Sequence, residues 1–109
     1  MANTIEQIQS TIANNKIVIF MKGSRNFPMC GFSAATVQIF EELGASFETV
    51  DVLADEDLRQ AIKTYSSWPT IPQVYMNGKF LGGCDIVREL HESGELQSLV
   101  DQLGDRAHS

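Results

Sequence analysis

The sequence has few of the features that mark secreted or membrane-spanning proteins. Its 109 residues include only two cysteines, and its longest apolar run is the five-residue segment Ile17 to Met21. A helix needs about 20 apolar residues to cross a bilayer. The first residues carry neither a basic cluster nor an apolar stretch like that of a secretory signal. We therefore predict no membrane span and a cytoplasmic location.

Basic residues are also scarce. The chain has 8 lysines and arginines against 14 aspartates and glutamates, with a net charge of −6 and an isoelectric point near 4.7. A phosphate backbone would be repelled on average, and no basic stripe offsets this repulsion. We predict no nucleic-acid partner.

The two cysteines, Cys30 and Cys84, belong neither to a paired CxxC motif nor to a Cys/His spacing typical of structural zinc. In a reducing cytoplasm both should be free thiols. His91 and His108 have no ligand partner at metal spacing and are expected to be solvated. At 43% hydrophobic residues, the chain predicts one domain over residues 1–109, with a core from about 4 to 103 and a short flexible C-terminal tail.

The first half of the chain predicts a helix followed by a β-α-β unit. Thr4 and Gln7 form a capping pair that predicts where the first helix begins. The segment 17–21 is apolar at every position, which is typical of a strand covered on both faces. A helix over about 31–43 and a strand over 47–52 follow, and the crossover rule makes the two strands parallel.

The second half predicts a helix, a hairpin and two further helices. Asp55 is expected to cap the third helix, and the turn at 66–69 to stop it. An Asn-Gly pair centres an antiparallel hairpin over 73–81. Asp85 is expected to cap a fourth helix, and the last helix follows Gly94. The apolar residues of the fourth helix are Ile86, Val87 and Leu90. The fold class is thus α/β, a four-stranded mixed sheet flanked by helices on both faces.

Cys30 follows the loop after the first strand and immediately precedes a predicted helix. Unpaired backbone N–H groups and the helix dipole at this position favour the thiolate and lower the pKa of the thiol. Cys30 is therefore a candidate nucleophile or metal ligand, the alternative being a buried structural cysteine. Ser33, three residues later, cannot form a disulfide.

Three cations are candidates for binding an anion. Lys22 ends the strand that leads to Cys30, so its ammonium either lies near the thiolate or an anionic ligand, or is an ordinary exposed charge. Arg59 and Lys63 share one helix face, where two like charges are unfavourable unless an anion relieves them. That anion is either Asp55 or a bound carboxylate.

The segment 82–85, Gly-Gly-Cys-Asp, has two glycines without side chains directly before the predicted start of a helix. A ligand could approach the backbone closely there, a helix N-terminus is a natural carboxylate site, and Asp85 could face an ammonium. A tight turn with a capping aspartate is the alternative, and both can hold at once. Cys84 is either a buried thiol that lines the site or a slow resolving partner for Cys30. Trp68 and Phe32 are expected to be core or rim aromatics, with Phe32 shielding the thiol.

Four segments, in order and at a characteristic spacing, resemble the monothiol glutaredoxins of the thioredoxin-like superfamily. They are Met21-Lys22-Gly23, Pro28-Met29-Cys30-Gly31-Phe32-Ser33, Trp68-Pro69-Thr70-Ile71-Pro72-Gln73 and Gly82-Gly83-Cys84-Asp85. The resemblance spans about Thr4 to Leu103. Arg25 stands where the family commonly has proline, so a less rigid loop is expected before Cys30.

The resemblance implies a thioredoxin-like fold with a cis Ile71-Pro72 bond facing the active thiol. It also implies a glutathione site. Lys22 and Arg59, with Lys63 as a secondary cation, would bind the glycine carboxylate, and Ile71 would pair with the peptide backbone. Cys84 and Asp85 would lie at the γ-glutamyl end.

The resemblance further implies a function. Cys30 would be both the active thiol and a ligand of a two-iron two-sulfur cluster, which glutathione helps to hold between two chains. The protein would act in iron–sulfur cluster assembly, transfer or iron homeostasis, with BolA-like proteins and cluster recipients as partners. The alternatives are a glutathione-dependent thiol-disulfide oxidoreductase and an adaptor without redox chemistry. The loop between Lys22 and Cys30 is longer than in dithiol glutaredoxins, and this favours the cluster-carrying function over both alternatives.

Overall fold

The computed structural model describes residues 2–104, with side chains from residue 4 onward. The predicted flexible tail beyond Gly104, with His108, lies outside the described residues. The helices are α1 (Ala2–Asn14), α2 (Gly31–Glu42), α3 (Glu56–Ser66), α4 (Cys84–Ser93) and α5 (Glu95–Leu103). The strands are β1 (Ile17–Met21), β2 (Glu48–Asp51), β3 (Gln73–Met76) and β4 (Lys79–Gly82). A short 3₁₀ turn spans Val52–Ala54.

The four strands form one mixed sheet in the order β2-β1-β3-β4. Strand β1 runs parallel to β2 and antiparallel to β3, and β4 completes an antiparallel hairpin with β3. Phe20 on β1 lies opposite Gln73 on β3. The predicted β-α-β unit and hairpin are both confirmed.

Both faces of the sheet are covered. All five residues of β1 are buried, and alternate side chains enter different apolar clusters because successive side chains point to opposite faces. Ile19 packs in the cluster that includes residues of α2, α4 and α5. Phe20 packs in the cluster that includes residues of α1 and α3. The predicted arrangement of helices on both faces is therefore confirmed.

Three predicted boundaries are confirmed. The Asp55 carboxylate caps α3 by accepting from the backbone N–H groups of Asp57 and Leu58, at 3.0 and 3.3 Å. Helix α3 ends in the predicted turn, with Ser67 in the left-handed conformation. Strand β1 begins and ends as predicted.

No helix within residues 2–104 has the length and apolar character needed to cross a membrane.

Two predicted helix caps are wrong. Helix α1 begins at Ala2, so Thr4 lies inside its first turn and is buried. Ala2 is compatible with a helix, and nothing in the sequence stops the helix from starting before the threonine. The N-cap of α4 is Gly83, which puts Asp85 within the first turn. A carboxylate there still interacts favourably with the helix dipole.

Two further expectations, one about burial and one about the length of a strand, are corrected. Ile86 is 36% exposed, so it does not join Val87 in the core. Strand β2 is shorter than predicted, because the Asp51 carboxylate accepts a hydrogen bond from the Leu53 N–H at 2.8 Å and caps the 3₁₀ turn.

Candidate functional site

Cys30 is the N-cap residue of α2. Its backbone is extended, and its carbonyl accepts the first helical hydrogen bond, from the Ala34 N–H at 2.9 Å. The residue is half-buried and its thiol is free. The prediction that Cys30 sits at the mouth of a helix is confirmed.

The pKa of the Cys30 thiol is lowered from its ordinary value. The largest cause is the backbone N–H of Ser33, while burial works in the opposite direction. The backbone N–H of Phe32, the charge of Lys22 and the Ser33 hydroxyl contribute further lowering. Donors aimed at the sulfur stabilise the thiolate, so Cys30 is suited to act as a nucleophile or a soft-metal ligand.

The loop before Cys30 is closed by its own backbone. The Met29 N–H donates to the Lys22 carbonyl at 2.9 Å, and Ser24 and Phe27 exchange two backbone hydrogen bonds. The N–H of Gly23 donates to the Asp51 carboxylate at 3.0 Å, which ties the loop to the end of β2. Cys30 is therefore preceded by a loop that hydrogen bonds hold in a defined conformation.

Arg25, which belongs to this loop, contacts two residues outside it. Its Nε lies 3.2 Å from a carboxylate oxygen of Glu41, and its guanidinium carbon lies 3.9 Å from the centre of the Phe47 ring. A cation over an aromatic face is favourable. Arg25 thus contacts Glu41 and Phe47 from the position where the family commonly has proline, and the lower rigidity of the loop stays a prediction.

A cavity of about 450 Å³ opens beside Cys30. The residues lining it are Lys22, Cys30, Phe32, Trp68, Thr70, Ile71, Pro72, Gly83, Cys84, Asp85 and Ile86. Of the predicted site residues, all except Arg59 and Lys63 line this cavity. Phe32 is 58% exposed and forms part of the rim. The Ile71-Pro72 bond is cis, as the resemblance implied.

Arg59 lies on α3 and does not line the cavity. The Asp55 carboxylate is occupied by the helix cap, and the ion pair of Arg59 is instead with Glu56, at 3.8 Å. The Glu56 side chain is 63% exposed and that of Arg59 is 35% exposed, and an ion pair at this distance near the surface contributes little to stability. The guanidinium therefore remains available to a second anion. Lys63 is half-buried, one turn further along the same helix.

Cys84 is the first residue of α4, is buried and has a free thiol. One guanidinium nitrogen of Arg88 lies 3.5 Å from its sulfur, and another lies 3.6 Å from Asp85. The structure agrees with the interpretation of Cys84 as a buried thiol lining the site. A resolving role toward Cys30 stays a prediction.

Single chains offer few metal ligands. Among residues 2–104 no group of three or more histidine, cysteine, aspartate or glutamate residues is placed to hold a metal ion. Ser33 is fully buried, and its hydroxyl accepts a hydrogen bond from the Lys22 N–H at 3.1 Å. His91, predicted to be solvated, is half-buried and lies 3.5 Å from Glu42. Among the described residues, Cys30 is thus the candidate soft ligand of the site.

Sequence reasoning missed two residues that shape the site. Asp51 holds the loop before Cys30, and Gln73 donates its side-chain amide to carbonyls of the segment that lines the cavity. A signal for Gln73 was present, since it is a polar residue at the start of an otherwise apolar strand. Asp51 carried no signal, because its role depends on the pairing of β1 with β2.

Comparison with known proteins agrees with this arrangement. The glutaredoxin family model matches residues 17–81. An uncharacterised monothiol glutaredoxin of Synechocystis, named ycf64-like, is 54% identical over 90% of this chain and 92% of its own length. Other relatives carry names that place them in chloroplasts or mitochondria.

Solved structures of glutaredoxins share the fold. Reduced, apo GrxS14 of poplar superposes with a TM-score of 0.80 at 50% identity, covering 90% of each chain. A buckwheat glutaredoxin in complex with glutathione superposes with a TM-score of 0.85 at 28% identity, covering 97% of this chain and 94% of the other. With a thioredoxin-like sheet, a free cysteine at the start of α2 and these relatives, the chain belongs to the glutaredoxin family, within its monothiol class.

Proposed function

We propose that this protein binds glutathione in the cavity beside Cys30 and carries a two-iron two-sulfur cluster as cargo for other proteins. The observation that carries the proposal is the pairing of one accessible thiol of lowered pKa with a cavity in which no other accessible thiol is present among the described residues. The nucleophile has room for a thiol-bearing ligand next to it.

The cavity has the chemistry of a small zwitterionic peptide site. Glutathione carries two carboxylates and one ammonium. The Lys22 ammonium and the N-terminus of α4 offer positive charge to the carboxylates, while Asp85 offers negative charge to the ammonium. The volume, about 450 Å³, is in the range of small-molecule sites. The buckwheat glutaredoxin with glutathione bound supports this ligand.

The lining of the cavity also fits a peptide backbone. Gly83 has no side chain, and a Cβ there would lie 3.3 Å from the Pro72 carbonyl and 3.4 Å from the Trp68 indole nitrogen. The start of α4 therefore packs closely against the segment that contains Ile71. In the proposed complex the backbone of Ile71 pairs with the peptide, and Arg59 reaches the glycine carboxylate from α3, with Lys63 as a weaker second cation.

The proposed cluster needs ligands from outside one chain. A two-iron two-sulfur cluster usually has four thiolate ligands. This chain supplies Cys30, because the Ser33 hydroxyl is buried and Cys84 is buried at the start of another helix. Two chains and two glutathione thiolates complete the four. The cluster-loaded form is then a homodimer joined mainly by the cluster.

Anaerobic reconstitution with iron, sulfide and glutathione tests this ligand count. We expect a coloured dimer that contains two glutathiones per cluster and returns to colourless monomers when iron is chelated. Cys30→Ser should abolish colour and dimer, whereas the matched variant Cys84→Ser should retain both. Size-exclusion chromatography with paired iron and glutathione analysis reads the result. A coloured monomer, or a coloured dimer without glutathione, would refute the proposal.

A second candidate function follows from the lowered pKa of Cys30. As an oxidoreductase, the Cys30 thiolate would attack the glutathione sulfur of a glutathionylated protein and release that protein's thiolate. A second glutathione thiolate would then attack the Cys30–glutathione disulfide, giving oxidised glutathione and the free enzyme. A colourless protein that turns over a glutathione mixed disulfide rapidly would favour this function. A protein with neither colour nor turnover would favour the adaptor.

The proposed partners follow from the same ligand count. A protein with its own histidine or cysteine ligand could replace one subunit at the cluster, and a BolA-like protein is proposed in this role beside cluster recipients. The cytoplasmic location also stays a prediction, because named relatives occur in chloroplasts and mitochondria.

A further inference from the structure

The side chain of Gln73 is fully buried and joins β3 to the wall of the cavity. We propose that Gln73 is a positioning residue that holds the segment 68–72 in the form that receives glutathione. The inference rests on the proposed glutathione site and names a residue, outside the cavity lining, on which that site depends.

Both amide hydrogens of Gln73 are directed at this segment. Nε2 lies 2.9 Å from the carbonyl oxygen of Trp68 and 3.2 Å from that of Thr70. Trp68 and Thr70 line the cavity, and Gln73 does not. One buried amide thus fixes two backbone carbonyls on either side of Pro69.

The orientation of the amide follows from its partners. Two carbonyl oxygens face one end of the Gln73 side chain, so that end must be the NH₂ group, because an amide oxygen there would be repelled by both. Oε1 is then buried with no hydrogen-bond partner among the described residues. A buried unpaired acceptor is unfavourable. The side chain of Gln73 therefore leaves one buried acceptor unpaired, while its NH₂ group donates to both carbonyls.

The peptide groups around Trp68 are held on both sides. The Trp68 N–H lies 3.2 Å from the Lys63 carbonyl and 3.1 Å from the Ser66 hydroxyl. The Trp68 carbonyl accepts a hydrogen bond from the side-chain amide of Gln73. The end of α3 thus fixes the start of the segment, and Gln73 fixes its middle.

A role confined to stability would not need this residue type. Gln73 pairs with Phe20 in the sheet and precedes Val74, Tyr75 and Met76, all of which are buried. An apolar side chain of similar volume would suit these surroundings, because it would leave no unpaired acceptor. Positioning of the segment explains why a hydrogen-bond donor stands here instead.

Gln73→Met tests the proposal, since methionine keeps the approximate volume and removes both donors. We expect glutathione affinity, measured by calorimetry, to fall about tenfold, because the loss of two hydrogen bonds lets the binding segment sample other conformations. Amide hydrogen exchange of Trp68, whose N–H is hydrogen-bonded, should become faster in the ligand-free protein. The indole of Trp68, the only tryptophan in the sequence, should become more accessible, so a soluble quencher should reduce its fluorescence more strongly.

Val74→Ala is the matched control. Val74 is fully buried on the same strand, and it belongs to the apolar cluster on the opposite face of the sheet from Tyr75. This variant should lower stability without accelerating exchange at Trp68, and its glutathione affinity should stay within about twofold of the wild type. If the control loses affinity as much as Gln73→Met does, a general loss of stability explains both and the proposal is wrong.

The wild type supplies a test that no folding failure can obscure. The two side-chain amide hydrogens of Gln73 should exchange slowly by NMR, and more slowly still with glutathione bound. Fast exchange of both would overturn the proposal, as would wild-type affinity and wild-type exchange in Gln73→Met. If the wild type does not bind glutathione, the proposed function fails, while exchange in the ligand-free proteins still decides whether Gln73 holds the segment.

Discussion

The hydroxyl of Ser33 accepts a hydrogen bond from the backbone N–H of Lys22 across 3.1 Å. This bond joins the end of β1 to the first turn of α2, on either side of Cys30. Ser33 is fully buried, and its own backbone N–H is the largest cause of the lowered pKa of the thiol. The fourth residue of the Cys-Gly-Phe-Ser motif is therefore occupied in shaping the site, which is why it offers no second ligand.

The reactivity of Cys30 should depend on pH as expected of a thiol with a lowered pKa. In the Cys84→Ser background, the rate of alkylation should have a midpoint below the ordinary thiol value of about 8.5, so that more thiolate is present at neutral pH. Lys22→Gln should raise the midpoint only in part, because the backbone donors at Ser33 and Phe32 remain. A midpoint at or above the ordinary value would contradict the electrostatic argument.

Arg59→Glu should weaken glutathione binding far more than Lys79→Glu does. Both variants reverse one charge and neither residue lines the cavity, but Lys79 is exposed beside the hairpin turn at 77–78, whereas Arg59 lies on α3 and is the proposed partner of the glycine carboxylate. We expect a loss of about tenfold or more for Arg59, since a charge-assisted hydrogen bond to a carboxylate would be replaced by repulsion. Calorimetric titration with glutathione compares the two. Equal losses would show that Arg59 is ordinary surface charge.

Gly23→Ala should damage the loop before Cys30. Gly23 has a φ of +91°, and a Cβ there would lie 2.5 Å from the Phe27 carbonyl oxygen and 2.6 Å from the Met29 nitrogen. We expect the free energy of unfolding in urea to fall by about 2–3 kcal/mol or more and the alkylation of Cys30 to change.

Gly44→Ala is the control for this prediction. Gly44 also has a positive φ, +70°, but a Cβ there would meet nothing within 4 Å. Only backbone strain remains, which costs about 1–2 kcal/mol. If the two variants are equally stable and equally reactive at Cys30, the close packing of the loop against Gly23 has no consequence.

Tyr75 should make stability depend on pH in alkali. Burial raises the pKa of its phenol from 10.0 to about 12. The unfolded chain therefore ionises first, and the contribution of Tyr75 to stability is fully present below pH 10 and is lost as the pH rises toward 12. The difference in unfolding free energy between wild type and Tyr75→Phe should change by about 1–2 kcal/mol across this window. A difference independent of pH would show that the phenol ionises equally in both states.

Much of the fold could be predicted from local patterns. The uniformly apolar segment 17–21 identifies a central strand, the Asn-Gly pair at 77–78 fixes a hairpin, and Asp55 caps α3 as expected. These features depend on neighbouring residues, so the sequence carries them directly. Thr4 and Asp85 misled because a capping residue is recognised by type, whereas the helix starts wherever the backbone first permits it.

The sequence by itself determined the place of the chemistry. Cys30 must follow a strand and open a helix because of the residues on each side of it, and the four motifs supplied the family. Only the tertiary structure decided which groups meet around that thiol. The buried amide of Gln73 and the carboxylate of Asp51 act on backbone groups whose positions depend on how β1 pairs with β2 and β3. Contacts of this kind join segments far apart in the chain, and local periodicity does not encode them.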